Sequence, residues 1–249
     1  ASLGGFFMVL RAGELKVEGI SVEYIDHPEG SFFRYGPSKK ISALLGINFS
    51  VEDGDVVALV GKNGSGKSTL LKLIAGMLRP SQGRIETNGR VILLAGVNPG
   101  FANEATGRQN VSELASAYGI EEKEHEEFVK SVIDFAEIGE AIDRRVKGYS
   151  GGMKGKLGFG FITSLKPDIL LIDETLAVGD EEFREKAQKK LREFVKNSGS
   201  VIMSTHSLGL AREMCNRGLV LNEGALVADA GIEEAMLAYR GLLKKNRED

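Results

Sequence analysis

The apolar run Val56–Val60 leads directly into Gly61-Lys62-Asn63-Gly64-Ser65-Gly66-Lys67-Ser68, and residues with helical spacing follow. Gly-x4-Gly-Lys-Ser is informative only between a strand and a helix, and here it has that setting. Its glycines let consecutive backbone N–H groups curl around an oxyanion. The helix that begins near Lys67 turns the positive end of its dipole toward the same place. Lys67 is placed to reach β- and γ-phosphates, and the Ser68 hydroxyl to ligate Mg²⁺. With glycine near 7% of residues, the full pattern arises by chance in roughly one chain of this length in a hundred. Gly61–Thr69 is therefore expected to bind a nucleoside triphosphate with magnesium.

The pattern around this loop predicts an α/β sheet. Val17–Tyr24 alternates like a strand, a segment punctuated by Gly and Pro (Asp26–Lys40) follows, and Ile47–Val51 is a second strand. Val56–Val60, Arg90–Ala95, Ile169–Ile172 and Ser200–Ser204 are β-branched or apolar runs of buried-strand length. After the loop, Leu70, Leu71, Ile74 and Met77 carry a helical stripe that ends at Pro80 and Gly83. Residues from about Phe101 to Leu165 are helices joined by short turns, and the acidic stretch Glu121–Glu127 is expected to be a solvated helix face. Glu181–Val195 is an amphipathic helix. Leu219–Leu221 and Ala225–Ala228 form a hairpin that turns at Asn222-Glu223-Gly224, and Glu233–Lys245 is a last helix. Strands alternating with helices, interrupted by a helical insertion, fit a mainly parallel sheet.

Composition removes several classes. A formal net charge of −3 over 249 residues gives no bulk basic field for nucleic acid or an anionic membrane. No apolar run approaches the roughly 20 residues that cross a bilayer, so no direct membrane span and a soluble chain are expected. One cysteine, Cys215, gives no disulfide framework and no CxxC pair, which fits a reducing compartment. Residues 1–14 are expected to be an N-terminal extension or non-native remnant, with Met8 as a natural start.

A magnesium site needs a second acidic element. Ile169–Ile172 delivers Asp173 and Glu174 at the end of an apolar strand, where ligands bind in open α/β sheets. Asp173 would hold Mg²⁺ through water, and Glu174 would polarise the attacking water as general base. Upstream lies Tyr149-Ser150-Gly151-Gly152-Met153-Lys154: Ser150 is suited to cap a helix, and the two glycines expose backbone donors to an anion.

At this point the chain resembles the ATP-binding cassette family, whose Ser-Gly-Gly signature contacts ATP held by a second subunit. Further matches are Leu176–Asp180, which is similar to the D-loop with Asp180 at the dimer seam, and His206, which matches the switch histidine. Tyr24 matches the aromatic that stacks on adenine, while Phe32, Phe33 and Tyr35 are alternatives. Most cassettes carry a magnesium-ligating glutamine after the Arg90–Ala95 strand. This chain reads Ala95-Gly96-Val97-Asn98-Pro99-Gly100, which leaves Asn98 as the candidate ligand.

Asp173–Asp180 (DETLAVGD), the methionine in SGGMK and Gly100–Val111 (GFANEATGRQNV) resemble the ATP-binding subunits of polysaccharide, O-antigen and teichoic-acid exporters. The resemblance implies a P-loop NTPase (RecA-like) core at about 15–96 and 166–232, with an N-terminal antiparallel β subdomain. An α-helical signature subdomain would be inserted at about 97–165, and a C-terminal helix would occupy about 233–249. It implies an ATPase with ATP and Mg²⁺ as cofactors, acting as a homodimer around two ATP molecules. That dimer would drive a separate transmembrane permease, peripherally on the cytoplasmic face of the cell membrane. The alternatives are a non-transport single-cassette ATPase acting on ribosomes or DNA, and a small P-loop kinase or GTPase.

Overall fold

The computed structural model describes residues 10–26, 39–94, 98–173, 181–205 and 207–248. In chain order the strands are β1 Leu15–Asp26, β2 Lys39–Val51, β3 Val56–Gly61, β4 Gln82–Thr87, β5 Val91–Leu94, β6 Ile169–Ile172, β7 Ser200–Ser204, β8 Arg217–Asn222 and β9 Ala225–Gly231. The helices are α1 Lys67–Ile74, α2 Gly107–Ala117, α3 Glu122–Ala136, α4 Gly151–Thr163, α5 Glu181–Lys196, α6 Leu208–Met214 and α7 Ile232–Glu248. They fall into two compact units, one holding residues 1–93, 167–174 and 198–249, the other 94–166 and 175–197.

The first unit contains a six-stranded sheet in the order β5-β6-β7-β3-β8-β9. β3 runs parallel to β7 and β8, and β6 parallel to β7. Strands buried on both faces must be apolar throughout, and β6 is. On β3, Val57 and Leu59 pack on the face that carries α1, with Leu70, Leu71 and Ile74. Ala58 and Val60 pack on the other face with Ala211, Ala235, Met236 and Tyr239 of α6 and α7. β8 and β9 form the expected hairpin, turning through the positive φ angles of Glu223 and Gly224. A separate antiparallel sheet, β2-β1-β4, is the β subdomain implied by the resemblance.

Two local expectations change, and one short helix is added. Helix α1 stops at Ile74 because Gly76 (φ 70°) closes it: Gly76 N donates to Leu73 O and Met77 N to Lys72 O, a Schellman ending. Met77 therefore lies outside the helix and is 65% exposed rather than part of its buried stripe. β4 begins at Gln82, where only a helix ending was read. Its side chains are mostly exposed, so it carries no apolar alternation, and Gly83 lets its backbone approach Glu18 O and Gly19 O. α6, of seven residues, is too short to show a period and is set by Ser207, whose Oγ accepts from Leu210 N.

In the helical unit, α2 opens with a capping box in which Thr106 and Gln109 satisfy each other's backbone N–H groups. Glu121, Glu122, Glu124, Glu126 and Glu127 are exposed, as expected of a solvated face. The core is aromatic: Phe128 meets Phe161 edge-on at 5.5 Å, and Phe135 stacks with Phe159 at 6.0 Å. α5 joins this unit because Phe183 packs edge-on against Phe135 and Phe159 and Lys186 Nζ donates to Phe135 O. Gly155, Gly158 and Gly160 are buried, and a Cβ at Gly160 would sit 3.0 Å from Phe135 Cδ1 and 3.3 Å from Val132 O.

Candidate functional site

Beyond β3 the backbone turns so tightly that side chains are excluded. A Cβ at Gly61 would lie 2.4 Å from Leu221 O and 2.5 Å from Ser65 Oγ. Gly66, the residue before α1, has φ +104°, and a Cβ there would strike Leu44 Cδ2 at 2.6 Å and Ala43 O at 2.7 Å. Gly64 also has a positive φ, of 78°, at the exposed tip beside Asn63. The loop is pinned from outside by the β8–β9 turn, where Gly224 N donates to Ser65 O and Gly224 O accepts from Leu45 N.

Lys67 is only 8% exposed, and its ammonium is folded into the loop. Nζ donates to Gly61 O at 2.7 Å and Lys62 O at 2.9 Å. A cation at the mouth of a helix N-terminus can serve as a counter-charge for a polyphosphate. Ser65 Oγ is buried without a hydrogen-bond partner among the described residues. Ser68 is exposed at the first turn of α1, and Thr69 half-buried.

Because β3, β7 and β6 are neighbours and parallel, their C-terminal ends share one edge of the sheet. That edge carries the glycine loop after β3, Thr205 after β7 and the half-buried Asp173 after β6. Glu174, Asp180 and His206 lie outside the described residues, as do Phe32, Phe33, Tyr35 and Ala95–Val97. The Ser68 hydroxyl and Asp173 carboxylate are hard oxygen donors suited to Mg²⁺. Among the described residues no group of three His, Cys, Asp or Glu side chains forms a cage.

Tyr24 stands 42% exposed near the end of β1, directly opposite Ile41. Asn98 is exposed, and its Oδ1 accepts from Gly100 N (3.1 Å) and Phe101 N (3.0 Å), so it closes its own turn.

The serine–glycine stretch is presented by different means. Ser150 Oγ accepts from Met153 N at 3.2 Å and caps α4. Gly151 and Gly152 are exposed, and a Cβ at Gly151 would meet nothing within 4 Å among the described residues. Tyr149 anchors the base: its hydroxyl donates to Ala141 O at 2.6 Å and lies where a Cβ at Gly107 would be. Burial pushes the Tyr149 phenol above its ordinary pKa, so it stays a donor.

Sequence reasoning missed Asn110. It is 2% exposed, accepts from Ala102 N, and donates to Ala102 O and Thr106 O. It folds residues 102–106 onto α2, and that loop then receives Val146 N at Ala105 O and Lys147 N at Asn103 O. Glu104 adds ion pairs with Arg145 and Lys147. Arg108 chelates Asp143 with two hydrogen bonds, which lowers that carboxyl's pKa. GFANEATGRQNV thus forms the support that leads into Ser150–Gly152; its last asparagine was visible, but its burial was not.

A mainly parallel sheet with a glycine-walled anion loop at its C-terminal edge, in a chain whose helical unit presents a capped glycine pair, defines an ATPase of the P-loop class. The ABC transporter family model matches residues 44–177. An O-antigen export system ATP-binding protein of Klebsiella pneumoniae, RfbB, is 40% identical over 88% of each chain. A teichoic acids export ATP-binding protein of Staphylococcus haemolyticus, TagH, is 39% identical, over 81% of this chain and 76% of that one. A solved "ATP binding subunit of ABC transporter" superposes with TM-score 0.71 at 25% identity, over 91% of this chain and 94% of the other. The chain belongs to the ABC transporter family and is an ATP-binding ATPase of it.

Proposed function

We propose that this ATPase works as a homodimer around two molecules of ATP with magnesium, driving a separate membrane subunit that exports a polysaccharide or teichoic acid. The observation that carries the reading is the closed geometry of Gly61–Lys67 around its own lysine. Gly61–Thr69 would receive the phosphates, with Lys67 exchanging its bonds to Gly61 O and Lys62 O for bonds to phosphate oxygens. Ser68 and Asp173 would hold the magnesium, which neutralises phosphate charge when bound. Glu174 would orient and deprotonate the attacking water, with His206 near the γ-phosphate. Tyr24 would stack on adenine. Asn98 would serve the metal only by giving up its turn.

Ser150, Gly151, Gly152 and Asp180 would complete the site of the opposite copy. The exposure of both glycines, with nothing among the described residues within 4 Å of a Cβ at Gly151, supports that role. The names of the relatives, which export O-antigen and teichoic acids, support the cargo class. Among the described residues no helix is long and apolar enough to cross a membrane. The names of the relatives, ATP-binding proteins of export systems, support a separate permease with peripheral attachment at the cytoplasmic face of the cell membrane.

The test is magnesium-dependent ATP hydrolysis by the purified chain, followed by identification of the membrane protein that copurifies with it. Hydrolysis is expected to fall at least about a hundredfold in Lys67→Ala, since a preorganised charge at the reacting phosphate is lost. Undiminished turnover in that variant, or copurification with ribosomes instead of a membrane protein, would contradict the reading.

A further inference from the structure

The Ser204 hydroxyl has no use in the fold. It is 1% exposed, and its Oγ has no hydrogen-bond partner among the described residues. A buried hydroxyl left unpaired costs stability, and an apolar residue of that size would avoid the loss. Such an atom commonly marks a partner that arrives with a ligand.

Strand register says where the partner would be. Ser204 is opposite Leu59 on β3, while the last paired positions of β6 and β7 are Ile172 and Met203. The next residues on those two strands are Asp173 and Ser204. Adjacent strands lie about 4.8 Å apart, and neighbours in register point to the same face. Ile202, Leu59 and Leu171 all belong to the core beneath α1. Ser204 and Asp173 follow Ile202 and Leu171 by two residues, so both side chains point to that face. Ser204 therefore sits between the strand that enters the phosphate loop and the strand that delivers the magnesium-binding carboxylate. Thr205, on the opposite face, is already used: its Oγ1 accepts from Ser207 N.

We infer that Ser204 is a positioning residue for the magnesium site, its hydroxyl donating to the Asp173 carboxylate once nucleotide and metal are bound. This rests on the proposed roles of the phosphate loop and Asp173. Partners of metal ligands typically change metal affinity by ten- to a hundredfold when removed.

The experiment is thermal unfolding of the full chain, wild type and Ser204→Ala. Each is measured without nucleotide, with the non-hydrolysable analogue AMP-PNP in EDTA, and with AMP-PNP plus stepped magnesium chloride. Ser204→Ala is expected to melt at or above wild type without nucleotide, because an unpaired buried hydroxyl is gone. AMP-PNP in EDTA should stabilise both proteins equally. The magnesium concentration giving half of the further shift should rise roughly tenfold in Ser204→Ala. In an Asp173→Asn background the substitution should add nothing. An unchanged magnesium midpoint, a lower melting temperature without nucleotide as the only effect, or an equal rise in Asp173→Asn would each overturn the inference. A wild-type chain that AMP-PNP does not stabilise at all would instead overturn the reading of the phosphate loop itself.

Discussion

The phosphate loop and the signature loop both offer glycines and backbone N–H groups to an anion, yet they are built in opposite ways. Around Gly61–Ser68 the protein encloses the loop: two of its glycines are walled by Leu221 O, Ala43 O and Leu44, and the lysine is buried against its own carbonyls. Around Ser150–Gly152 it does the reverse, holding the base through Tyr149 and the Ser150 cap while leaving the glycines open. An enclosed loop is a finished half-site. An open loop on a stiff support has its geometry fixed before any partner arrives, which lowers the ordering cost of contact.

Substitutions that treat the two loops alike should expose this difference. The largest effect is expected at Gly66→Ala, where a left-handed φ combines with backbone and side-chain clashes. It should cost roughly 3 kcal/mol or more in chemical denaturation, and a stable variant would show that the loop is not enclosed. Next comes Asn110→Ala, which leaves Ala102 N without a partner and strips one of the two bonds accepted by Ala102 O and by Thr106 O. About 2–3 kcal/mol should be lost, with turnover falling while nucleotide affinity stays near wild type. Nucleotide affinity lost in parallel would blur the distinction between the loops. The smallest stability effects belong to the open loop. Ser150→Ala should cost about 1 kcal/mol as a lost cap. Gly151→Ala should leave the melting temperature within a degree or two while hydrolysis drops.

How much of this the sequence revealed follows the same division. The enclosed loop is local chemistry, eight consecutive residues after a β-branched run, and its strands β3, β6 and β7 announce themselves because burial on both faces demands apolar runs. β4 was invisible because an exposed edge strand has no apolar face, and Met77 was misjudged because one glycine overrode a helical stripe. The open loop was recognisable from Ser150–Gly152 by resemblance. Its support was not, because Asn110 and Tyr149 take their roles from carbonyls eight residues back, a separation that no helix or strand period announces. Ser204 was passed over for a related reason: an isolated serine at a strand end means little until register sets it beside Asp173.

The central claim is that the open loop of one copy finishes the enclosed loop of another. The most direct measurement is the mass of the Glu174→Gln variant by analytical ultracentrifugation, with and without ATP and magnesium. The account predicts a monomer without nucleotide and a dimer retaining two ATP with it, because binding persists while the roughly 10²- to 10⁴-fold contribution of a general base is removed. A variant that binds ATP, keeps its fold and stays monomeric would contradict it.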